Sequence, residues 1–183
     1  MTNPGSYKTV IKAYDEAQTE IQKYFPHFTD LIDRYRWDVV VSYVFARIEF
    51  AKHMTIYCGI VKLHQTDADL SWKAVTGDYL SRTRFRELFR TIFGKHISEP
   101  LLKKLESAEA VRDKHVHGKP VTPANLRKAL VDTLKFAEEF NAFVYSVAQF
   151  RPFADLRGFK GAGKSLPKST TRWILKGMNF QLN

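Results

Sequence analysis

The sequence is poor in cysteine and has no long uninterrupted apolar run. Cys58 is the only cysteine among 183 residues, so the chain cannot form an intramolecular disulfide. Its apolar neighbourhood, residues 54–61, favours a small buried thiol. The most apolar stretch, residues 37–63, is interrupted by charged side chains and is not expected to cross a membrane. The first ten residues lack the pattern of a signal peptide, and these absences together predict a globular, cytoplasmic protein.

Acidic residues are scarce at the C-terminal end of the chain. Residues 151–183 contain seven Lys or Arg and a single acid, Asp155, so this segment carries +6 of the formal net charge of +10. The other 150 residues carry the remaining +4. Positive charge at this density favours a polyanionic partner, most simply a nucleic acid. The alternative is a basic surface that serves solubility alone.

Six basic residues are predicted to contact nucleic acid. Two of them are four residues apart and share one face of a predicted helix, where they could follow a phosphate backbone. The other four lie in the basic C-terminal segment, which we expect to contact polyanions. The six are Arg86, Arg90, Lys160, Lys164, Lys168 and Arg172.

Apolar residues recur at three- and four-residue steps over residues 1–150, whereas the alternation typical of strands does not occur there. The steps predict helices over about residues 6–24, 29–65 (with a break near Gly59), 79–93, 98–116 and 122–150. We therefore predict an all-α protein, an antiparallel up-down helical bundle of four to five helices over residues 1–150. A basic, partly irregular C-terminal tail follows over residues 151–183, in which residues 171–175 are compatible with a strand or an adhering arm.

Residues 158–165, GFKGAGKS, satisfy the phosphate-binding pattern G-x-x-x-x-G-K-[ST]. A working P-loop needs a buried strand before it and a helix after it. The preceding residues 151–157 are charged and include a proline, and too few residues follow Ser165 to build the sheet that supports a magnesium ion. We therefore predict a flexible basic segment that binds no nucleotide, and we expect no cofactor.

A second stretch, RDKHVHG at residues 112–118, closes a predicted helix. Arg112 is a permanent cation whose planar fork suits phosphate oxygens. His117 lies at the helix C-terminus, where the helix dipole favours the imidazolium. Charge neutralisation by an arginine and proton transfer by a histidine are what ribonucleolytic transesterification requires. Asp113 precedes His117 by four residues, so its carboxylate could orient that imidazole.

These residues resemble the motif of the HEPN superfamily, all-α bundles with R-x(4–6)-H at a helix end and often an Asn, Asp or His after the arginine. Arg112, Asp113, His117 and Gly118 match this motif, and the likeness extends over about residues 30–150. The resemblance implies a metal-independent endoribonuclease in which Arg112 and His117 are catalytic and Asp113 supports them. It implies products with a 2′,3′-cyclic phosphate and a 5′-hydroxyl. It also implies a homodimer with two motifs facing each other across a twofold cleft.

The family leaves several roles open. Its nucleases act in defence, toxin–antitoxin systems and RNA processing, whereas other members only bind or assemble partners. A non-catalytic module that binds nucleic acid or a protein is therefore the alternative function, and an acidic partner or antitoxin could mask the basic surface. The toxin branch often has a tyrosine two residues after the histidine. Because this chain has Lys119 there, regulation by modification of such a tyrosine is not expected.

The same stretch has two simpler interpretations. Arg112 and Asp113 could be ordinary surface charges, and His117 could be a helix cap. His115 and His117 could suggest a metal site, but residues two apart on a helix diverge by about 200°. No cysteine or carboxylate cluster completes a coordination sphere, so no metal site is predicted.

Overall fold

The computed structural model describes residues 6–157, 159, 161 and 163–182. The described residues form helices and turns with no strand, which confirms the predicted all-α class. They contain nine α-helices, eight of them within residues 6–150, where four to five were predicted. The helices are α1 (Tyr7–Asp15), α2 (Thr19–Tyr24), α3 (Phe28–Arg34), α4 (Trp37–Leu63), α5 (Ala68–Thr76), α6 (Arg82–Phe93), α7 (Glu99–Val116), α8 (Pro123–Ala148) and α9 (Lys168–Gly177).

Two predicted helices are each divided in the structure. The helix predicted over residues 6–24 is α1 and α2, and the one predicted over 29–65 is α3 and α4. The second break follows Tyr35, whose φ of −127° and ψ of 162° are extended. Apolar periodicity continues across both breaks because the helices on either side bury residues in the core. The predicted break near Gly59 is wrong, since α4 is continuous there.

Helix ends that depend on local chemistry agree with the sequence. Gly94 and Gly118 have φ values of 62° and 69°, a left-handed conformation that favours glycine, and they follow the ends of α6 and α7. The Thr122 hydroxyl accepts a hydrogen bond from the Asn125 N–H at 3.2 Å, which caps the start of α8. These three signals lie within a few residues of the ends they define, so a pattern in the sequence can reveal them.

The described chain divides into two compact units. The first comprises Met1–Glu49, Ser98–Phe143 and Phe153–Asp155. The second comprises Phe50–Ile97, Val144–Pro152 and Leu156–Asn183. Within the described ranges, no helix is long and apolar enough to cross a membrane.

The core of the first unit contains a polar anchor beside an aromatic cluster. The buried ring of Phe153 packs at 5.1 Å from Tyr24 and at 6.2 Å from Phe136. Asn141 of α8 is fully buried and pairs with the backbone of Phe153. Its Nδ2 donates to the Phe153 carbonyl at 3.2 Å, and its Oδ1 accepts from the Phe153 N–H at 2.7 Å. Asn141 therefore satisfies both buried backbone groups of the residue that brings the aromatic ring into this core.

The second unit holds α9, where the tail was expected to be irregular. Residues 171–175 are helical, so the strand or arm interpretation of this piece is wrong. The Thr171 hydroxyl is buried and accepts a hydrogen bond from the Asp67 N–H at 2.9 Å. After the helix, Arg84 donates to the carbonyls of Met178 and Asn179 at 3.0 and 3.1 Å. Anchors at both ends fix which face of α9 is turned inward.

The burial predicted for the single cysteine is confirmed. Cys58 is fully buried in α4. Burial raises the pKa of its thiol to about 12, although the nearby Lys62 acts in the opposite direction. The side chain is a small core residue rather than a reactive thiol.

Gly161, in the glycine-rich octamer, lies where the backbone comes close to α4. A Cβ on Gly161 would lie 2.5 Å from Val61 Cγ1 and 3.3 Å from the Val61 carbonyl oxygen. Gly163 differs, because a Cβ there would meet no atom within 4 Å. The interpretation that the octamer's glycines serve flexibility is therefore wrong for Gly161, which is required by close packing.

We expect Gly161→Ala to lower the free energy of unfolding by about 1–3 kcal/mol, because the new methyl group must displace Val61 or the backbone beside it. Gly163→Ala is the matched control, since its methyl group has room and removes chain freedom from the unfolded state. Urea unfolding followed by circular dichroism measures both variants. Equal stability of the two alanine variants would contradict the close contact at Gly161.

Candidate active site

The RDKHVHG stretch lies at the C-terminal end of α7. The Gly118 N–H donates to the His115 carbonyl at 2.9 Å, and the Lys119 N–H donates to the Lys114 carbonyl at 2.9 Å. This pair of bonds, in which the first donor residue is the left-handed Gly118, is the Schellman arrangement that ends helices. The glycine of the motif therefore terminates α7 and makes His117 its C-terminal cap residue.

Arg112 holds its guanidinium between an aromatic ring and two carboxylates. Its Cζ lies 5.2 Å from the centroid of the Phe45 ring, within cation–π range. Its Nη2 lies 3.7 Å from Glu49 Oε1, and its Nε lies 3.3 Å from Asp113 Oδ1. The Arg112 side chain is 29% exposed, so part of the cation remains open to solvent.

These contacts hold Arg112 without saturating its hydrogen-bonding capacity. The Nη2 contact with Glu49 is an ion pair longer than a hydrogen bond. The Nε atom is buried and has no hydrogen-bond partner in the part of the chain that the structure describes. Stacking and charge thus position the planar guanidinium of Arg112. Its Nη groups keep N–H donors that can form hydrogen bonds with a phosphate oxygen.

Asp113 and His117 are joined through the backbone of the last turn. The His117 N–H donates to the Asp113 carbonyl at 3.0 Å. The Asp113 carboxylate lies beside Arg112 Nε, and the His117 side chain is exposed at the helix end. The structure therefore brings Arg112 and Asp113 into side-chain contact. The predicted role of Asp113 in orienting the His117 imidazole stays a prediction.

A second imidazole lies near a carboxylate in the same unit. His115 follows Arg112 by three residues, and its Nε2 lies 3.7 Å from Asp38 Oδ2. Asp38 is at the start of α4, where its Oδ1 accepts a hydrogen bond from the Val39 N–H at 3.1 Å. The contact between His115 and Asp38 is an ion pair only when His115 is protonated, because a neutral imidazole carries no charge. The end of α7 thus carries two histidines with different surroundings, one exposed and one beside an acid.

Sequence reasoning missed the residues of α4 that surround the motif. Asp38, Phe45 and Glu49 are spaced by seven and four residues, so they lie on one face of α4. The charged residues of this segment were treated only as interruptions of an apolar stretch and were not connected with Arg112. The available signal was that Asp38 and Glu49 are the two acids of α4. They lie more than 60 residues before the motif, and residue spacing does not reveal that α4 and α7 meet there.

No family model, curated protein or solved structure matches this chain. The HEPN resemblance therefore rests on the RDKHVHG stretch and the helices around it. Across the described ranges, the structure contains no group of three or more His, Cys, Asp or Glu side chains able to hold a metal ion.

Five of the six predicted nucleic-acid contacts lie in the described part of the second unit. Arg90 on α6 is exposed, whereas Arg86 is half-buried. Lys164, Lys168 and Arg172 are exposed before and on α9. Lys160 lies outside the described residues.

Arg84, which lies on α6 with Arg86 and Arg90, has a structural role. Its guanidinium contacts Asp78 at 2.9 Å and stacks 5.1 Å from the Phe180 ring centroid. Together with its bonds to the backbone after α9, these contacts occupy the cation with protein partners. Arg84 therefore stabilises this unit and is not counted among the predicted nucleic-acid contacts.

The glycine-rich octamer lines a cleft of about 330 Å³ in the second unit. Its lining includes Gly161, Gly163 and Ser165 together with Val61 and residues 65–69. Two carboxylates, Asp67 and Asp69, belong to the lining, and Asp67 Oδ1 caps α5 by accepting from the Leu70 N–H at 3.0 Å. Carboxylates repel phosphates, and the described residues before the octamer form a turn after α8 rather than a strand. The absence of nucleotide binding stays a prediction with this additional support.

Proposed function

We propose that this protein is a HEPN-like, metal-independent endoribonuclease in which Arg112 and His117 act on RNA. The 2′-oxygen attacks the adjacent phosphorus as His117 takes its proton. The new 2′-oxygen–phosphorus bond forms while the bond from phosphorus to the 5′-oxygen breaks. A proton delivered to that 5′-oxygen completes the reaction, leaving a 2′,3′-cyclic phosphate and a 5′-hydroxyl.

The positioned, partly exposed side chain of Arg112 is the observation that carries this proposal. Phe45 and Glu49 hold it in place, yet Glu49 is far enough away for a phosphate oxygen to replace it. The phosphate gains negative charge at its equatorial oxygens as the 2′-oxygen attacks. A positioned cation stabilises that charge more than it stabilises the bound substrate, which lowers the barrier.

His117 suits proton transfer because it is exposed at a helix C-terminus. One histidine can take a proton and return it, and a homodimer would supply a second histidine for the leaving oxygen.

The proposal includes further features of the protein. The chain would form an up-down bundle and a homodimer with a twofold cleft. It would be located in the cytoplasm and act in defence or toxin-type RNA processing, with an acidic partner or antitoxin.

Incubation of end-labelled RNA with the purified chain in EDTA tests the proposal. We expect cleavage to 2′,3′-cyclic phosphate ends, and we expect His117→Ala to slow it by roughly 10²–10⁴-fold because proton transfer is lost. His96→Ala is the matched control, since it removes another exposed imidazole from outside the motif. Intact RNA with the wild-type chain, or equal rates for His117→Ala and wild type, would show that the chain is not this nuclease.

The second candidate is a non-catalytic module that binds nucleic acid. The exposed cations Lys164, Lys168 and Arg172 in the second unit favour it. This function predicts salt-sensitive binding that survives His117→Ala and weakens when these cations are neutralised. Cleavage and binding assays therefore separate the two candidates.

A further inference from the structure

The solvent-facing side of α9 carries a stripe of cations. Lys168, Arg172 and Lys176 are exposed and follow one another at four-residue steps, so they lie along one side of the helix about 6 Å apart in rise. Residues 163–182 contain no acid. The stripe therefore has no compensating negative charge on its own element.

An exposed tryptophan accompanies these cations. The Trp173 side chain is 77% exposed, against 40% for Trp72 in the same unit. Trp173 follows Arg172 directly and precedes Lys176 by three residues, which places it beside the stripe. A large aromatic ring left in water contributes little to folding, so the fold does not explain it.

The orientation of α9 is set by its inward face. Thr171 and Leu175 are fully buried, and Met178 is nearly so. The Leu166 N–H donates to the Gln65 carbonyl at 2.7 Å just before the helix, and Thr171 accepts from Asp67 within it. Trp173 and the cations consequently point away from the unit on a rigid element rather than on a loose tail.

We propose that this face of α9, defined by Lys168, Arg172, Trp173 and Lys176, binds a single-stranded stretch of RNA. An unpaired base stacks on Trp173, and the cations contact the phosphates on either side of it. A duplex offers its phosphates but keeps its bases stacked, so it cannot use the indole ring. This inference goes beyond the cleavage reaction and does not depend on it, because no residue of the α9 face belongs to the RDKHVHG motif.

A nucleic acid fits this face better than an anionic membrane does. A helix that lies in a membrane surface needs an apolar side to insert among the lipids. In α9 that side is occupied by the protein core, through Leu175 and Thr171. Only one large apolar side chain, Trp173, remains outward among three cations, which is the composition of a stacking platform with phosphate contacts.

Fluorescence anisotropy with a labelled oligouridylate tests the inference. A 2′-O-methylated strand serves as the probe because it lacks the 2′-hydroxyl that the proposed cleavage needs, so binding is measured independently of catalysis. We expect the full chain to bind the single strand more tightly than a duplex of equal length. We expect Trp173→Ala to weaken single-strand binding by roughly 5- to 150-fold, and Trp173→Phe to retain most of it.

Two matched controls isolate the aromatic and the charge contributions. Tyr79→Ala removes an 85% exposed ring that lies outside α9 and should leave binding unchanged. Lys176→Gln should reduce the slope of log affinity against log salt by about 0.7, the value for one phosphate contact on a single strand. Lys103→Gln, an exposed lysine on α7, should leave that slope unchanged.

Three results would overturn the inference. The first is the absence of single-strand binding by the wild-type chain. The second is a Trp173→Ala variant with a native circular dichroism spectrum that binds the strand as wild type does. The third is Trp173-dependent binding to vesicles of phosphatidylserine and phosphatidylcholine without binding to the oligonucleotide. None of these results depends on whether Arg112 and His117 cleave RNA.

Discussion

Arg112→Ala should slow RNA cleavage by roughly 10²–10³-fold, the loss expected when a positioned group that stabilises transition-state charge is removed. Arg112 is stacked on Phe45 and paired with Glu49 and Asp113, so its fork is held ready before RNA binds. Cleavage of labelled RNA under single-turnover conditions measures the chemical step. A loss confined to the affinity for RNA would contradict a transition-state role for this cation.

The matched control for this variant is Arg127→Ala. Arg127 stacks 5.4 Å from the Trp37 ring centroid, much as Arg112 stacks 5.2 Å from Phe45, and both pairs belong to the first unit. Each variant removes an arginine from an aromatic ring, but only Arg112→Ala changes the motif. Since cation–π contacts and partly exposed ion pairs each contribute about 0–1 kcal/mol, both variants should remain folded.

Two further substitutions separate charge from geometry at the same position. Arg112→Lys keeps the positive charge but loses the planar fork, so it should restore only part of the activity. Glu49→Gln removes the carboxylate that competes with phosphate for Nη2 and should tighten RNA binding. Full activity of Arg112→Lys would show that a point charge is sufficient.

Asn141→Leu should lower the free energy of unfolding by about 3 kcal/mol. The leucine removes two hydrogen bonds and leaves the Phe153 N–H and carbonyl buried without partners, each at a cost of about 1–3 kcal/mol. A gain in apolar surface offsets part of this loss. Urea unfolding measures the change.

The same substitution at Asn125 is the control. Asn125 is on the same helix, α8, but is exposed, so Asn125→Leu should change the free energy of unfolding by less than about 0.5 kcal/mol. A similar small change for Asn141→Leu would mean that the pairing with the Phe153 backbone does not hold this part of the core. Near-ultraviolet circular dichroism reports the aromatic cluster around Phe153 in both variants.

The position of the motif at a helix end followed from the sequence, because the signals are local. Gly118 adopts the left-handed conformation that ends α7, and Thr122 caps the start of α8, each through bonds to neighbouring residues. Gly118 and Pro120 were therefore sufficient to predict that Arg112, Asp113 and His117 lie at the end of a helix. Its surroundings were not predictable in the same way, since Phe45 and Glu49 reach Arg112 only through tertiary packing.

The octamer GFKGAGKS shows the opposite dependence. Its residues satisfy a phosphate-binding pattern. Phosphate binding by such a loop also requires a buried strand before it and a helix after it, and tertiary packing decides whether these are present. In the structure Gly161 packs against Val61, and α9 begins only at Lys168. A short pattern without its structural context does not determine a site.

The sequence by itself determined the all-α class, the C-terminal ends of α6 and α7, the start of α8 and the place of the RDKHVHG stretch, because helix periodicity and capping act over a few residues. Tertiary structure alone decided three other features. It divided the long apolar patterns at residues 16–18 and 35–36, it folded the basic tail into α9, and it surrounded Arg112 with residues of α4. Each of these depends on contacts between segments far apart in the chain, which residue spacing does not encode.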